Sequence, residues 1–218
     1  KVMWLVAIFT IISVRHVGGI ENALWIAIGM LVFMTFRRTL TQVQNGIDAN
    51  KSLFAYRQVR PGDVALVRAL VEGFLMFLIS TAVFFAGAFI GWMAWPVNAW
   101  GVLEAFMAAW LCAVGLGLVF AVLVKLVPEA ARIIGFIMSP LMMISGVIFP
   151  LSAIQEPYLS LLLLNPLAHA VEAARVAFSP YYHSVPGVDL LFVYQSALVL
   201  VFIGLALLRR FNERLVMD

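Results

Sequence analysis

The sequence predicts an all-α membrane protein, and three observations carry that assignment. Hydrophobic residues make up 64% of the 218 positions and charged residues only 11%, with a mean hydropathy of +1.05. A soluble domain of this size could not hide so much apolar surface. Apolar stretches that approach the length of a bilayer crossing recur along the chain, and Lys and Arg gather at alternate ends of them. The length suits one membrane domain over residues 1–218 and little else.

Six hydrophobic segments can be read in order. Val2 to Val14 is the remainder of a first helix, and Ala23 to Phe36 begins a second. Pro61-Gly62-Asp63 breaks the chain before a long third segment, Val64 to Trp95, with Asp63 expected as its N-cap. Pro96 ends that segment. Gly101 to Val124 is the fourth, Pro128 separates it from the fifth at Ile133 to Phe149, and Leu190 to Leu208 is the sixth. The chain opens at Lys1 directly into apolar sequence without a signal-peptide pattern, and a natural N-terminal segment is expected to precede it.

Orientation follows from the basic residues. With both termini cytoplasmic, twelve of the fourteen Lys and Arg side chains fall on or toward the inner side, leaving only Arg15 and Arg175 outside. An odd number of crossings could not place both ends inside. Six transmembrane helices with both termini cytoplasmic is the topology this asymmetry predicts.

Arg37 and Arg38 stand well before the second segment has crossed the membrane. Fourteen helical residues cover about 21 Å, against a hydrocarbon core of about 30 Å. Either that helix stops short or it carries two guanidinium groups to membrane depth. If it continues, Phe33, Phe36, Leu40, Val43 and Ile47 form an apolar stripe. Arg37, Thr41, Gln44 and Asp48 then recur on another face, with Arg38, Gln42 and Asn45 beside them. Each intramembrane Arg costs about 2.5–3.5 kcal/mol unless hydrated or paired. Two together argue for a watery face or an anionic partner. The bland alternative is a pair that marks the end of a short helix and binds lipid phosphate.

Two further stretches could carry function. Asn50 to Arg60, NKSLFAYRQVR, is short, basic and amphipathic. Leu53, Phe54 and Tyr56 stand beside Lys51, Arg57 and Arg60, which suits either a membrane surface or a groove on a cytoplasmic partner. Pro150 to Asp189 holds two apolar runs too short to span, Tyr158 to Leu164 and Leu167 to Phe178, divided by Asn165-Pro166. This pattern predicts short helices dipping into the outer leaflet as cover or gate for a wet cavity, the alternative being an interfacial loop. Within it, His169, Glu172 and Arg175 occupy neighbouring helical positions, Glu172 and Arg175 as an i,i+3 ion pair and His169 with Glu172 as a weaker proton-relay idea. Tyr181, Tyr182 and His183 read as an interfacial aromatic belt, or less compellingly as a sugar-stacking surface.

Among the other charges, Glu72 lies one turn from Arg68 as an expected structural pair, and Glu104 is expected to snorkel near the outer surface. Gly87 with Gly91, and Gly115 with Gly117, suit close helix approach. The lone Cys112 offers no disulfide or zinc framework. The sequence contains no G-x-x-x-x-G-K-[ST] nucleotide loop, no H-E-x-x-H and no G-x-S-x-G. The three histidines are dispersed, and nothing points to enzymatic chemistry, nucleic-acid binding or a bound metal.

The stretches FRRTLTQVQNGIDANKSLFAYRQVRPGDVALVRALVEG (Phe36 to Gly73) and SGVIFPLSAIQEPYLSLLLLNPLAHAVEAARVAF (Ser145 to Phe178), with YHSVPGVDLLFVYQSALVLVFIGLALLRRF near the C-terminus, resemble the membrane subunits of type-2 ABC exporters. Within that group they are most similar to the capsular polysaccharide export permeases, with the O-antigen and teichoic acid permeases as relatives. The resemblance implies a bacterial inner-membrane homodimer of six-helix subunits. Two separate ATP-binding cassette subunits beneath it would bind ATP and Mg, so that this chain holds no cofactor. A periplasmic and outer-membrane capsule export partner is implied, and so is an acidic, lipid-linked polysaccharide that moves between protomers.

The same resemblance recasts residues 51–60 as a coupling helix docked on the ATPase through Lys51, Leu53, Phe54, Tyr56, Arg57 and Arg60. It recasts residues 150–189 as re-entrant periplasmic helices over the path, with Pro150, Asn165, Pro166, His169, Glu172 and Arg175 as gate residues. Arg37, Arg38, Thr41 and Gln44 become candidates for the substrate path. Competing readings are a drug or lipid exporter of the same fold, which should lack the basic polar stripe, a membrane enzyme acting on lipid-linked sugars, and a structural scaffold.

Overall fold

A computed structural model describes residues 16–50, 60–91, 93–212 and 215. Those residues are overwhelmingly helical. A two-strand hairpin comes first, β1 (His16–Val17) and β2 (Ile20–Glu21), antiparallel with His16 opposite Glu21 and Val17 opposite Ile20. Its turn is Gly18-Gly19, with φ of 56° and 82°, a backbone that residues bearing a Cβ rarely adopt.

Seven α-helices follow among the described residues: α1 (Asn22–Gln44), α2 (Pro61–Phe89), α3 (Ala99–Leu126), α4 (Ala130–Ile144), α5 (Tyr158–Leu162), α6 (Pro166–Phe178) and α7 (Leu190–Arg210). A 3-10 turn at Leu151–Ala153 precedes α5. Four of the helices, α1, α2, α3 and α7, are long and apolar enough to cross a bilayer. The protein is therefore a multi-pass membrane protein. The first predicted segment, Val2 to Val14, and residues 51–59 of the predicted coupling segment lie outside the described residues.

Several predicted boundaries need correction. Of the two alternatives open for the second segment, continuation holds: α1 runs on to Gln44, so Arg37 and Arg38 are inside a 23-residue helix. Asp63 is not the N-cap of α2. Arg60 holds that position, with Pro61 in the first turn. The Asp63 carboxylate reaches back to accept the Arg60 amide at 3.3 Å, one half of a capping box. The third segment ends at Phe89 rather than Trp95, because Gly91 turns the chain at φ 79° and the Met93 amide donates back to the Gly87 carbonyl. A left-handed glycine is a common way to end a helix. The fifth segment is helical only to Ile144. Gly146 takes φ 69°, and a Cβ there would strike the Leu151 side chain at 2.8 Å. Only glycine fits that position, so the chain turns although the sequence stays apolar to Phe149.

Among the four long helices the most enclosed is α1: Trp25, Ile28, Phe33, Phe36 and Leu40 are all within 1% of full burial. It packs on the small-residue face of α3, where Ala105, Ala108, Ala109, Cys112 and Ala113 are likewise buried. Small residues permit that closeness. A Cβ on Gly117 would lie 2.8 Å from the Val43 side chain, and one on Gly115 would lie 2.7 Å from Leu200 of α7. Gly91, by contrast, has no neighbour within 4 Å of such a Cβ and serves the turn, not helix approach. The outward faces of α2 and α7 carry Phe74, Phe77 and Phe202, each more than half exposed, which suits hydrocarbon.

Candidate functional site

The continuation of α1 past Phe36 turns a sequence pattern into a surface. Arg37, Arg38, Thr41, Asn45 and Asp48 are exposed, while Phe36, Leu40, Val43 and Ile47 on the other side are buried. Gln42 is partly buried. Gln44, expected in the polar stripe, is instead buried at 8% exposure, because the last turn of α1 leans that face toward the protein. The Thr41 hydroxyl donates to the Arg37 carbonyl at 2.8 Å, a bond that satisfies the side chain without outside help.

Arg37 and Arg38 face different surroundings, since consecutive residues stand about 100° apart around a helix. Arg38 points to α2, where its Nε meets the Glu72 Oε1 at 2.7 Å. The carboxylate is nearly buried, while about half of the arginine side-chain surface stays open. The expected partner of Glu72, Arg68, is otherwise engaged: it donates to the Asn50 side-chain oxygen at 3.2 Å. Spacing along α2 allowed Arg68 to serve Glu72, but the neighbouring helix brings Arg38 closer. A third link, Lys125 Nζ to Asp48 Oδ1 at 3.3 Å, ties the end of α1 to the end of α3. Arg60 is exposed at the start of α2.

The opposite end of α1 meets the predicted gate. Arg175 on α6 is 0% exposed, as is Glu172 one turn before it. Arg175 Nη1 donates to Glu172 Oε1 at 2.9 Å, and Nη2 donates to the Val147 carbonyl at 3.2 Å. Its Cζ lies 3.4 Å from the centroid of the Trp25 ring on α1, a desolvated cation–π contact. Such burial is tolerable only because charge, carbonyl and π face all converge on one guanidinium. Gly29, one turn after Trp25, makes room: a Cβ there would sit 2.6 Å from Arg175 Nη2.

Tyr182 corrects the aromatic-belt expectation. Tyr181 and His183 are exposed, but Tyr182 is buried and its hydroxyl donates to Glu172 Oε2 at 2.8 Å. Burial, followed by the neighbouring Glu172 charge, pushes the Tyr182 phenol up to about 12. The glycine hairpin lies against this corner, since a Cβ on Gly18 would touch the Tyr182 ring at 2.8 Å.

The remaining residues of the predicted gate shape the turn before α6. Pro166 opens α6, where a missing amide proton costs nothing. The Asn165 side chain caps the helix by accepting from the Leu167 amide at 3.1 Å. It also donates to the Ser145 hydroxyl at 2.8 Å, which in turn donates to the Leu141 carbonyl at 2.6 Å. His169 Nδ1 accepts from the Asp189 amide at 2.9 Å, which leaves Nε2 as the donor to the Leu163 carbonyl at 2.6 Å. His169 thus joins the end of α5 to the entrance of α7. Its two nitrogens and the two Glu172 oxygens have separate partners, and no hydrogen bond links the two side chains. Pro150 stands just before the 3-10 turn.

Two groups of predicted residues therefore stay apart, one at each end of α1. Sequence reasoning missed Trp25, Gly29 and Tyr182 as partners of Arg175. The Trp25–Gly29 spacing of four was the available signal for a crowded contact on one face. Among the described residues no group of three or more His, Cys, Asp or Glu side chains could hold a metal ion.

Comparison with known proteins gives this geometry a family. The ABC-2 type transporter membrane family matches residues 1–179. The polysialic acid transport protein KpsM of Escherichia coli is 35% identical over 216 residues, covering 97% of this chain and 82% of the relative. The capsule polysaccharide export inner-membrane protein CtrC of Neisseria meningitidis is 25% identical over 221 residues, covering 96% and 78%. BexB of Haemophilus influenzae, named in the same words, is 23% identical over 214 residues, covering 96% and 79%. A helical membrane domain with a polar stripe on a central helix, matched by this family over most of its length, belongs to the ABC-2 type transporter membrane family.

Proposed function

We propose that this chain is the membrane subunit of an ATP-driven exporter that carries a capsular polysaccharide, acidic and lipid-linked, across the bacterial inner membrane. The single observation that supports this reading most is the exposed polar stripe Arg37 and Thr41 on the otherwise most buried of the four long helices, continued by Asn45 and Asp48 just past its end. A membrane protein needs such a wall where something hydrophilic passes. The relatives' names supply the substrate class.

In this reading two copies of the six-crossing subunit face each other across the path, with both termini cytoplasmic. Two separate ATPase subunits bind ATP and Mg and dock on residues 51–60. Their closure moves α1, and the re-entrant pair α5 and α6 covers the periplasmic exit, where an outer-membrane partner receives the polymer. Arg37 supplies positive charge to the path. Arg38 is partly committed to Glu72 and contributes less.

Charge reversal at Arg37 tests this cleanly, because its replacement leaves the Arg38–Glu72 pair intact. Arg37→Glu should abolish capsule export in a strain lacking its own permease while the subunit still copurifies with its ATPase. Wild-type export by that variant would remove Arg37 from the path.

A further inference from the structure

The turn that leaves α1 is built more firmly than a connecting loop requires. The Asn45 and Gly46 amides donate to the Thr41 and Val43 carbonyls at 3.0 and 3.1 Å, and the Ala49 and Asn50 amides donate to the Asn45 and Ile47 carbonyls at 3.0 and 3.2 Å. Residues 45–50 therefore prolong α1 as a hydrogen-bonded turn. Ile47 is 1% exposed, in a buried apolar cluster with Ala65 and Ala69 of α2 and Leu118 and Ala121 of α3. Small side chains on α2 leave room for it. Gly46 is closed in as well: a Cβ there would lie 3.2 Å from the Gln42 carbonyl and 3.4 Å from Arg68 Cγ. The stem of Arg68 thus runs beside the turn.

Arg68 closes the arrangement from α2. Its Nη2 donates to the Asn50 side-chain oxygen at 3.2 Å, and the Asn50 side-chain nitrogen donates to the Gly46 carbonyl at 2.7 Å. Those two bonds fix which way the amide points, since a guanidinium only donates and a carbonyl only accepts. Both residues are partly buried. Residues 51–59 follow, and the chain returns at Arg60, whose amide donates to the Asp63 carboxylate at 3.3 Å. Arg68 lies about 12 Å of helix rise beyond Arg60. Both ends of 51–59 are therefore fastened to the first turns of α2, one by the chain itself and the other by Arg68. Glu72, the carboxylate one turn along α2, is taken by Arg38. The reach of Arg68 toward Asn50 is thus no by-product of an ion pair within its own helix.

We propose that Arg68 is a positioning residue: through Asn50 it fixes the entry to residues 51–60 in the geometry in which an ATPase subunit binds. This rests on the proposed docking of the ATPase at 51–60. Holding a binding element in its bound geometry beforehand raises affinity, because the ordering cost is not charged to the complex. When only a fraction of the copies hold that geometry, the apparent affinity falls by the same fraction. Loss of Arg68 therefore weakens docking without slowing the complex once it has formed.

The test titrates the full chain, held in lipid nanodiscs, with its ATPase subunit and reads binding and ATP turnover separately. Arg68→Gln should raise the ATPase concentration at half-saturation by about tenfold, the scale of one hydrogen bond to a charged group. ATP turnover of the saturated complex should stay at the wild-type level. Asn50→Ala should do the same, and Arg68→Gln should add nothing in that background. A further loss there would mean that Arg68 touches the ATPase itself, which overturns the positioning role. Amide exchange of residues 45–50, read on the subunit without its ATPase, should quicken by a similar factor in Arg68→Gln, with α1 and α2 unchanged. Quickened exchange with wild-type affinity would overturn the docking at 51–60 and the inference with it. Unchanged exchange with weakened binding would overturn the inference and leave the docking standing. A fall in saturated turnover at wild-type affinity would also overturn it, since a loss of positioning moves the affinity first.

Discussion

Replacing Glu172 by Gln measures what holds the N-terminal end of α1 to α6. The carboxylate is fully buried and receives Arg175 at 2.9 Å and the Tyr182 hydroxyl at 2.8 Å. Gln keeps the shape and one acceptor but removes the charge. Arg175 would then keep only the Val147 carbonyl at 3.2 Å and the Trp25 face against its own desolvation. Breaking a buried pair from one side costs about 3–5 kcal/mol. In a chain of this size a loss of about 1 kcal/mol shifts a melting midpoint by roughly 2–4 °C, so the expected drop is roughly 6–20 °C. Asp48, half in water opposite Lys125, provides the internal scale. Asp48→Asn should cost less than Glu172→Gln, because Asp48 is half in water even though its Lys125 partner is nearly buried. The assay follows the fraction of detergent-purified protein that stays monodisperse after heating. Exchanging Glu172 for Leu together with Arg175 for Met should recover most of the loss, since apolar side chains of similar volume replace a buried pair nearly neutrally. A wild-type midpoint for Glu172→Gln, or a double variant as unstable as the two single losses summed, would refute the argument.

Two other outcomes follow from the same corner. Gly29→Ala should lower the midpoint by several degrees, because the added methyl lies 2.6 Å from Arg175 Nη2 and 3.2 Å from the Val147 carbonyl. Overpacking of this kind costs about 1–3 kcal/mol; an unchanged midpoint would mean that the guanidinium moves aside freely. Tyr182→Phe should flatten the alkaline limb of a stability–pH profile. The folded protein holds the phenol proton up to about 12, above its ordinary 10. The stability Tyr182 gives is therefore whole below about pH 10 and falls as pH rises toward about 12, a loss that Phe cannot show.

Local chemistry made part of this arrangement legible. Prolines at 61, 128 and 166 interrupt the chain where helices begin or end, and the 172–175 spacing announced an ion pair before any fold was known, whereas Pro96 stands well past the helix it was expected to end. The split of α1 into apolar and polar faces was also readable, because side-chain direction follows from helix period alone. What failed depended on contacts between segments. Glu72 chose Arg38 over Arg68 because α1 lies alongside α2, and no spacing within α2 encodes that. Tyr182 looked like a surface aromatic because its neighbours Tyr181 and His183 are exposed; only the fold brings Glu172 to its hydroxyl. The end of α4 was hidden for a different reason. Hydropathy continues through Phe149, whereas the turn is set by one glycine at φ 69°.

The two ends of α1 bear on each other because the helix between them is a poor spring. Its 23 residues contain no proline, and they span about 34 Å. Without a proline or an interrupting bulge a helix has no place to kink, and the side chains of α1 are buried for most of that length. Near its C-terminal end it is linked to α2 through Arg38 and, just beyond, to α3 through Asp48; near its start Trp25 lies under Arg175 of α6. Each C-terminal link pairs a group about half in water, Arg38 or Asp48, with one that is nearly buried, Glu72 or Lys125, so exchanging partners there costs more than at a fully exposed pair but less than at Arg175. The contact at Arg175 cannot exchange partners, since every alternative strands a charge away from water. In the proposed cycle a push from residues 51–60 would therefore slip first at Arg38 and Asp48 and reach α6 as a rigid displacement. Weakening Arg175 should uncouple polymer export from ATP turnover rather than slow the ATPase itself.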